Sequence, residues 1–185
     1  MNNLNERLDK LRERIQESDF LEGKGLSNEV NIHIFCYNAN DEMAVRHFIE
    51  QLITEQSLNC HIIECNLYNI FLSICDDKRI TNTIPSLEEK KGKDFILNQM
   101  IRLANNTVFV NKMQYEPHNY GDVILITGVG EAFPFIRVHS LLEAMQPYFS
   151  DVPILVMYPG TYDGHYIRLF DKLKPNSYYR AFNII

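Results

Sequence analysis

The sequence contains no long apolar run and no export signal. Residues 1–18, MNNLNERLDKLRERIQES, lack a basic segment followed by an apolar one, which excludes a secretory signal peptide. The longest apolar runs fall far short of the ~20 residues that a membrane-spanning helix needs. We therefore expect a protein that stays in the cytoplasm and makes no contact with a membrane.

Cysteine is scarce, and no CxxC pair occurs. The four cysteines are Cys36, Cys60, Cys65 and Cys75, and this usage is typical of structural thiols in a reducing compartment. His61 and Cys65 share one face of a predicted strand, but four strand residues separate them by about 13 Å, too far to hold one ion. There is also no HExxH motif. We expect no metal and no cofactor.

Basic residues are fewer than acidic ones, so the formal net charge is −6. This excess of negative charge argues against a dedicated nucleic-acid binder, because phosphate backbones are held mainly by Lys and Arg. Any contact with DNA is expected to be indirect, through a partner. Apolar residues make up 45% of the 185 residues, which indicates that a sizeable core is buried.

Five runs rich in β-branched residues have the composition of strands. They cover residues 30–37, 60–66, 122–127, 152–158 and 179–185. The third and fourth runs, DVILIT and VPILVMY, are almost continuously apolar, which is typical of parallel strands buried on both faces.

Segments with helical spacing lie between these runs. An N-terminal stripe (Leu4, Leu8, Leu11 and Ile15) predicts a helix that ends near Ser18. A second helix is predicted over residues 41–56, with Asn40 or Asp41 as its N-cap. A third has the stripe Val138, Leu141, Leu142 and Met145, with Pro134 in its first turn.

The segment between the second and third strands is longer than a simple crossover requires. Residues 67–76 and 88–103 are predicted as helices, 81–93 as a polar connection, and 106–116 as a helix or a strand. We predict a single α/β domain over residues 1–185 with a helical insertion at about 68–120. A short helix is predicted near the C-terminus, over residues 165–172.

This order of elements predicts a three-layer α-β-α fold with a mainly parallel, open sheet of about five strands, Rossmann-like or degenerate P-loop-like. Ligands of such sheets bind beyond the carboxyl ends of the strands. The turns expected there are residues 38–41, 66–68, 128–131 and 160–164.

The turn after the third strand is the candidate ligand site. Gly128 and Gly130 follow a strand and precede a helix, as a phosphate-binding loop does. However, the third glycine of GxGxxG is replaced by Phe133, Glu131 places negative charge where a phosphate would lie, and no GxxxxGK[ST] motif is present. A tight strand-to-helix turn is the preferred interpretation of these glycines. An anion or nucleotide site is the alternative, and its candidate residues are Thr127, Gly128, Gly130, Glu131, Arg137 and His139.

Nucleophilic catalysis has little support in the sequence. No GxSxG elbow is present, and Thr127 has no evident base. Arg137 and His139 lie about 200° apart on a helix, so they are not expected to face one ligand directly. No catalytic residue is assigned.

The C-terminal part is dense in tyrosine and arginine, which are enriched at interface hot spots. The candidate partner-binding residues are Tyr158, Tyr162, Asp163, Arg168, Tyr179 and Arg180. The alternative is that these rings cover the end of the sheet. Turns are predicted at Pro159-Gly160, which would end the fourth strand, and at Asp163-Gly164.

Four segments together resemble a known family. They are DFLEGKGLSNE at 19–29, TGVGEAFPFIR at 127–137 with His139, YPGTYDG at 158–164, and YYRAF at 178–182. Their order and spacing resemble the BrxB family of the BREX bacteriophage-resistance systems. The resemblance runs from the first helix to the last residue, but residues 68–120 carry no matching motif.

The resemblance implies membership of a multi-protein defence system. Such systems include a DNA adenine methyltransferase, a large ATPase and a phosphatase-like protein, PglZ. The family has no established enzymatic activity. What the resemblance implies for this chain is a role as an adaptor or assembly subunit, with other BREX proteins as partners and PglZ as the expected docking partner.

Overall fold

The strands lie in one sheet whose core is parallel. The structure is a computed structural model that describes residues 4–23, 31–174, 176–177 and 181–185. Its strands are β1 (Ile32–Tyr37), β2 (His61–Asn66), β3 (Asp122–Thr127), β4 (Ile154–Tyr162), β5 (Tyr166–Leu169), β6 (Asn176–Ser177) and β7 (Phe182–Asn183). The parallel strands follow the order β2-β3-β4-β1-β7, while β5 and β6 add to β4 as an antiparallel extension.

Helices cover both faces of this sheet. They are α1 (Leu4–Arg14), α2 (Ser18–Leu21), α3 (Glu42–Thr54), α4 (Leu67–Asp77), α5 (Ile84–Lys91), α6 (Lys93–Leu103), α7 (Asn106–Met113), α8 (Val129–Ala132) and α9 (Val138–Met145). The predicted three-layer α/β fold with a mainly parallel open sheet is therefore confirmed. None of the helices in the described ranges is long and apolar enough to cross a membrane.

The strand order explains why the helices divide between two faces. The connection from β1 to β2 crosses the sheet in one direction, and the connections from β2 through β3 to β4 return in the other. Right-handed connections in opposite directions place their helices on opposite faces. One core accordingly joins the sheet to α1, α2 and α3, and the other joins it to helices of the α4–α9 region.

The N-terminal layer forms largely as the spacing predicts. Leu8, Leu11 and Ile15 are buried against the sheet. However, α1 ends at Arg14, and a separate short helix begins at Ser18, where the prediction had one helix ending. The burial of apolar residues on one stripe of α1 is what holds this helix on the sheet.

The start of α3 differs from the predicted cap. Asp41 occupies the N-cap position but makes no capping hydrogen bond with its side chain. Instead, a 3-10 turn over Ala39–Asp41 precedes the helix, and the Asn38 side chain accepts from the backbone N–H of Asn40 at 2.9 Å. The capping bond therefore lies one turn earlier than predicted, and neither Asn40 nor Asp41 provides it.

The segment between β2 and β3 is helical over most of its length. The expected polar connection at 81–93 is wrong, because a 3-10 turn (Thr81–Thr83) and α5 occupy it. The predicted helix at 88–103 is interrupted at Gly92, whose φ of 84° ends α5 and begins α6. The segment at 106–116, for which a helix and a strand were both possible, forms the helix α7 over Asn106–Met113.

Two predicted features near β3 and β4 are wrong. The helix predicted after β3 with Pro134 in its first turn is wrong, because the turn at Gly128 leads into the short helix α8 and the next helix, α9, begins only at Val138. The strand predicted to end at Pro159-Gly160 continues to Tyr162. The Pro159 carbonyl accepts from the Phe170 N–H at 2.8 Å, which continues the pairing of β4 with β5 through this residue.

The predicted helix over 165–172 is also wrong, because Tyr166–Leu169 forms β5. Ile167 and Leu169 are buried while Tyr166 and Arg168 are exposed, an alternation with the period of a strand. The last predicted strand, over residues 179–185, contains the observed strand β7 at Phe182–Asn183. Tyr179 and Arg180 lie outside the described residues.

Candidate functional site

The carboxyl edge of the sheet contains a cleft of about 240 Å³. Its walls come from the ends of β1, β2 and β3, from Met157 on β4, and from the α3 helix. This is the edge at which open α/β sheets bind ligands. Of the candidate ligand residues, Thr127, Gly128 and Glu131 line this cleft.

A chain of hydrogen bonds connects three elements across one wall. The Tyr37 hydroxyl donates to Glu42 at 2.7 Å, and the Arg46 guanidinium donates to Glu42 at 2.9 Å. Arg46 also pairs with Glu131 at 2.9 Å. Hydrogen bonds to Glu42 and Glu131 raise the pKa of Arg46, while burial, reinforced by the bond to Glu42, raises the pKa of Tyr37. The guanidinium is thus held between two carboxylates.

A second pair lies in the cleft where β2 and β3 are neighbours. The Thr127 hydroxyl, buried at the end of β3, donates to the Glu64 carboxylate at 2.6 Å. The bond pairs this buried hydroxyl with a carboxylate of the neighbouring strand β2.

The charge of the cleft opposes a phosphate ligand. Its lining contains four carboxylates (Glu42, Glu50, Glu64 and Glu131) and one guanidinium, Arg46. Phosphate sites concentrate backbone N–H groups and cationic side chains. Here the cation is already engaged by two carboxylates, so a phosphate entering the cleft would meet a net negative potential.

Gly128 serves the turn itself. It adopts a left-handed conformation, with φ 67°, at the N-cap of α8. A Cβ at this position would lie 2.6 Å from the Asn66 Oδ1, which caps α4 by accepting from the N–H of Asn69 at 3.0 Å. Because α8 has only four residues, its dipole is short. These contacts support the interpretation as a tight strand-to-helix turn.

The remaining candidate ligand residues lie away from the cleft. Gly130 packs against Phe170 and Pro159. Arg137 and His139 line a separate cavity of only about 30 Å³, bordered by Tyr158 and other residues of the α4–α9 face. Such a volume holds about one water. Burial lowers the pKa of His139. The structure therefore divides the predicted set between two sites.

Part of the predicted partner-binding set holds the β4–β5 hairpin together. The Tyr162 hydroxyl donates to the Ala181 carbonyl at 2.7 Å, and the Asp163 carboxylate accepts from the N–H groups of His165 and Tyr166. The backbone hydrogen bonds lower the pKa of Asp163. The predicted turn at Asp163-Gly164 is thus observed.

The other members of that set differ in exposure. Tyr158 is only 3% exposed, so its ring belongs to the core and does not lie at the surface. Arg168 projects from the exposed face of β5, next to Tyr166, which is 50% exposed. Tyr166 belongs to the tyrosine-rich C-terminal part but was not selected as a candidate partner-binding residue.

The thiols and acidic groups show no alternative centre. In the part of the chain that the structure describes, no group of three or more His, Cys, Asp or Glu side chains is placed to hold a metal ion. All four cysteines are free, and burial raises the pKa of Cys36 and Cys65 to about 12. Thiols with so little thiolate are poor nucleophiles at neutral pH.

Three residues of the cleft were missed in the sequence. Glu42 and Arg46 are spaced i, i+4 on one helix, a signal for an ion pair that the sequence did contain. Glu64 lies within a predicted strand, and its pairing with Thr127 depends on β2 and β3 being neighbours. The sequence alone does not specify that adjacency.

Comparisons with known proteins agree with the resemblance. The family model described as BREX protein BrxB matches residues 63–184. A BREX protein BrxB from Bacillus cereus (strain H3081.97) is 39% identical, covering 100% of this chain and 99% of that protein. A BREX protein BrxB from Escherichia coli O9:H4 (strain HS) is 27% identical, covering 97% of this chain and 90% of that protein. No solved structure matches the chain.

The identity to the Bacillus protein extends over the whole chain, and the family match includes the cleft residues contributed by β2 and β3 as well as the hairpin. BrxB proteins are components of BREX systems, which supports a role in phage defence. The chain belongs to the BrxB family of BREX proteins.

Proposed function

We propose that this protein is a non-catalytic adaptor or assembly subunit of a BREX-type phage-defence complex, and that it contacts the phosphatase-like PglZ component. The observation that carries the proposal is the state of the carboxyl-edge cleft. Its single guanidinium is bound by Glu42 and Glu131, and its buried hydroxyl by Glu64. At the sheet edge that usually binds a ligand, these polar side chains are therefore paired with one another.

Family membership supports the cellular setting of this proposal. BREX systems contain several proteins. A subunit whose carboxyl-edge cleft disfavours phosphate is suited to contacts with those other proteins. Those other BREX proteins are the expected partners. With a formal net charge of −6, the chain is expected to reach DNA only through them.

The β4–β5 hairpin is the surface that we assign to PglZ. Tyr166 and Arg168 stand on the exposed face of β5, and their residue types are those enriched at interface hot spots. Tyr162 and Asp163 fix the hairpin by hydrogen bonds to Ala181 and to the turn, so this surface is held rigid before binding. Tyr158 is buried and is omitted from the interface.

The test is co-elution of the purified chain with PglZ of the same system at micromolar concentration. We expect one complex, and we expect Tyr166→Ala with Arg168→Ala to weaken it at least about tenfold without lowering the melting temperature by more than a few degrees. Tyr148→Ala with Arg102→Ala is the matched control, because Tyr148 is also 50% exposed and Arg102 is exposed elsewhere.

Two outcomes would count against the proposal. If the wild-type chain does not co-elute with PglZ, the PglZ contact is wrong. Equal weakening by the hairpin variant and by the matched control would move the interface away from β5.

A ligand-binding subunit is the second candidate, because the cleft of about 240 Å³ does exist beside Thr127, Gly128 and Glu131. A thermal-shift screen with ATP, GTP, NAD and S-adenosylmethionine tests it. A ligand at one hundred times its dissociation constant would stabilise the chain by about 2.7 kcal/mol. We expect no shift, and a shift that Glu131→Gln alters would replace the adaptor proposal.

A further inference from the structure

The helices α5 and α6 form an apolar groove that is separate from the cleft and from the hairpin. The groove has a volume of about 530 Å³. One wall follows α5 through Ile84 and Leu87, and the other follows α6 through Phe95 and Leu103. Phe95 is 39% exposed, although an aromatic ring of this size is normally buried.

The spacing along both walls is that of a helix-binding groove. Ile84 and Leu87 lie three residues apart on α5, with Ile80 just before the 3-10 turn that precedes this helix, and Phe95, Gln99 and Leu103 lie at intervals of four on α6. The α6 helix has eleven residues and is therefore about 16 Å long. A groove of this length accommodates about three turns of a guest helix whose apolar side chains follow the same spacing.

The charge around the groove specifies its occupant further. Seven of the ten lining residues are apolar, two are lysines (Lys78 and Lys91), and none is acidic. The Lys91 ammonium lies 4.9 Å from the centroid of the Phe95 ring, so the positive charge adjoins the apolar floor. This is notable in a chain whose net charge is −6. A guest with Asp or Glu beside its apolar stripe is electrostatically complementary to this rim.

We infer that the α5–α6 groove binds an amphipathic helix of another BREX protein, with an apolar stripe flanked by acidic residues. The inference rests on the proposed adaptor function and adds a second docking surface to it. An adaptor needs two surfaces that do not overlap, and the groove belongs to the segment between β2 and β3, whereas the hairpin extends β4.

Charge reversal provides the first test. The chain is labelled, and its affinity for each purified protein of the same BREX system is measured by fluorescence anisotropy. For one of them, Lys78→Glu with Lys91→Glu should raise the dissociation constant at least about tenfold. The matched control is Lys90→Glu with Lys93→Glu, which changes the net charge equally at exposed lysines outside the groove. The difference should shrink as salt rises from about 50 to about 300 mM.

The apolar floor is tested in the same assay. Phe95→Ser should weaken the same complex at least about tenfold, because the ring is the exposed aromatic anchor of the groove. Leu97→Ser is its control, since Leu97 is on the same helix and is 37% exposed but does not line the groove. Thermal unfolding of each variant confirms that the fold persists.

The occupant is identified by replacing Phe95 with the photoreactive residue p-benzoylphenylalanine and sequencing the cross-linked peptide. A segment with apolar residues at helical spacing and flanking Asp or Glu supports the inference. Cross-linking to a second copy of this chain, or to a segment without acidic flanks, overturns it.

The failures of the two proposals are distinguishable. A wild-type chain that binds none of the BREX proteins overturns the adaptor function and, with it, this inference. A wild-type chain that binds a partner, with groove variants that bind as tightly as their controls, overturns only the groove inference.

Discussion

Acid should destabilise this protein chiefly through one buried histidine. His33 lies on β1 among Phe20, Phe182 and Asn31, and only 7% of it is exposed. The Asn31 amide donates to the Phe20 carbonyl at 2.8 Å, so its oxygen faces His33 Nε2 at 2.7 Å and the ring nitrogen donates. This bond is open to the neutral and to the charged ring, so it is the burial of His33 that disfavours the charged form.

The electrostatic surroundings set the size of the effect. Burial lowers the pKa of His33 from 6.5 to about 4, with a further lowering from Arg14 that Asp19 opposes. In the unfolded chain the ring titrates near pH 6.5, so below that pH the unfolded state binds more protons than the folded state. The stability contributed by the neutral ring is present above pH 6.5 and is lost as the pH falls toward 4.

Linkage converts these values into a free energy of unfolding. Between pH 7.5 and pH 5.0 the predicted loss from His33 is about 2 kcal/mol, and His139, whose pKa is also lowered by burial, adds a loss of the same sign. For a chain of this length that corresponds to about 4–8 °C in melting temperature. At pH 5.0 the carboxylates with lowered pKa values, such as Asp122 and Asp163, are still ionised in both states, so they contribute little to this difference.

The assay is urea unfolding followed by circular dichroism at pH 7.5 and pH 5.0. We expect the free energy of unfolding of the wild-type chain to fall by about 2 kcal/mol, and that of His33→Gln to fall by less than half of this. His47→Gln, an exposed histidine on α3, is the control and should retain the wild-type dependence.

A direct titration guards against a variant that fails to fold. The His33 ring resonance, followed by NMR in the wild-type chain, should titrate well below pH 6. The reasoning is refuted if that ring titrates near pH 6.5, or if His33→Gln loses as much stability in acid as the wild type does.

Three further predictions concern backbone contacts and a thiol. A Cβ at Gly160 would overlap the carbonyl oxygen of Arg168, so Gly160→Ala must separate β4 from β5. Urea unfolding should show a loss of about 2–3 kcal/mol, and an unchanged midpoint would contradict the pairing. Gly128→Ala would place a Cβ on a residue with φ 67°, at 2.6 Å from the Asn66 Oδ1. We expect thermal unfolding to show about 1–2 kcal/mol of destabilisation, and a neutral effect would show that the turn tolerates a side chain. Burial raises the pKa of the Cys36 thiol to about 12, so iodoacetamide at pH 8.5 should alkylate it at least about 100-fold more slowly in the native chain than in urea, and equal rates would refute its burial.

The regular parts of the fold follow from local patterns in the sequence. The burial of Val45, Phe48 and Leu52 on α3 is the helical stripe that their spacing predicts. All six residues of β3 are buried, as its continuous apolar run indicates. In both elements one signal dominates, and neither neighbouring elements nor long-range contacts are needed to interpret it.

The C-terminal extension shows where local signals conflict. Pro159 and Gly160 normally mark a turn, but Gly160 faces the Arg168 carbonyl so closely that only glycine fits, and the strand therefore continues. The same pairing selects a strand for Tyr166–Leu169, whose alternation competed with a helical interpretation. The deciding contact joins residues that only the folded hairpin brings together.

The candidate site depended on strand order even more strongly. The prediction placed Thr127 and Gly128 correctly at the carboxyl edge, but it grouped them with Arg137 and His139, which line a small cavity on the α4–α9 face. A sequence lists residues along the chain and does not state which face of the sheet each one reaches after a turn such as α8. The Glu64–Thr127 pair requires β2 beside β3 and so emerged only from the fold.

The acidic cleft and the basic groove have opposite consequences for binding. The cleft has the position of a ligand site. However, Glu42 and Glu131 neutralise Arg46, so the remaining negative charge of the cleft repels the phosphates that such sheets usually hold. The groove lies between α5 and α6 and not at the sheet edge, yet it combines apolar surface with Lys78 and Lys91. A phosphate needs cations that are free to bind it, whereas a protein helix needs apolar area and a complementary rim. This distribution of charge supports the proposed adaptor function over nucleotide binding.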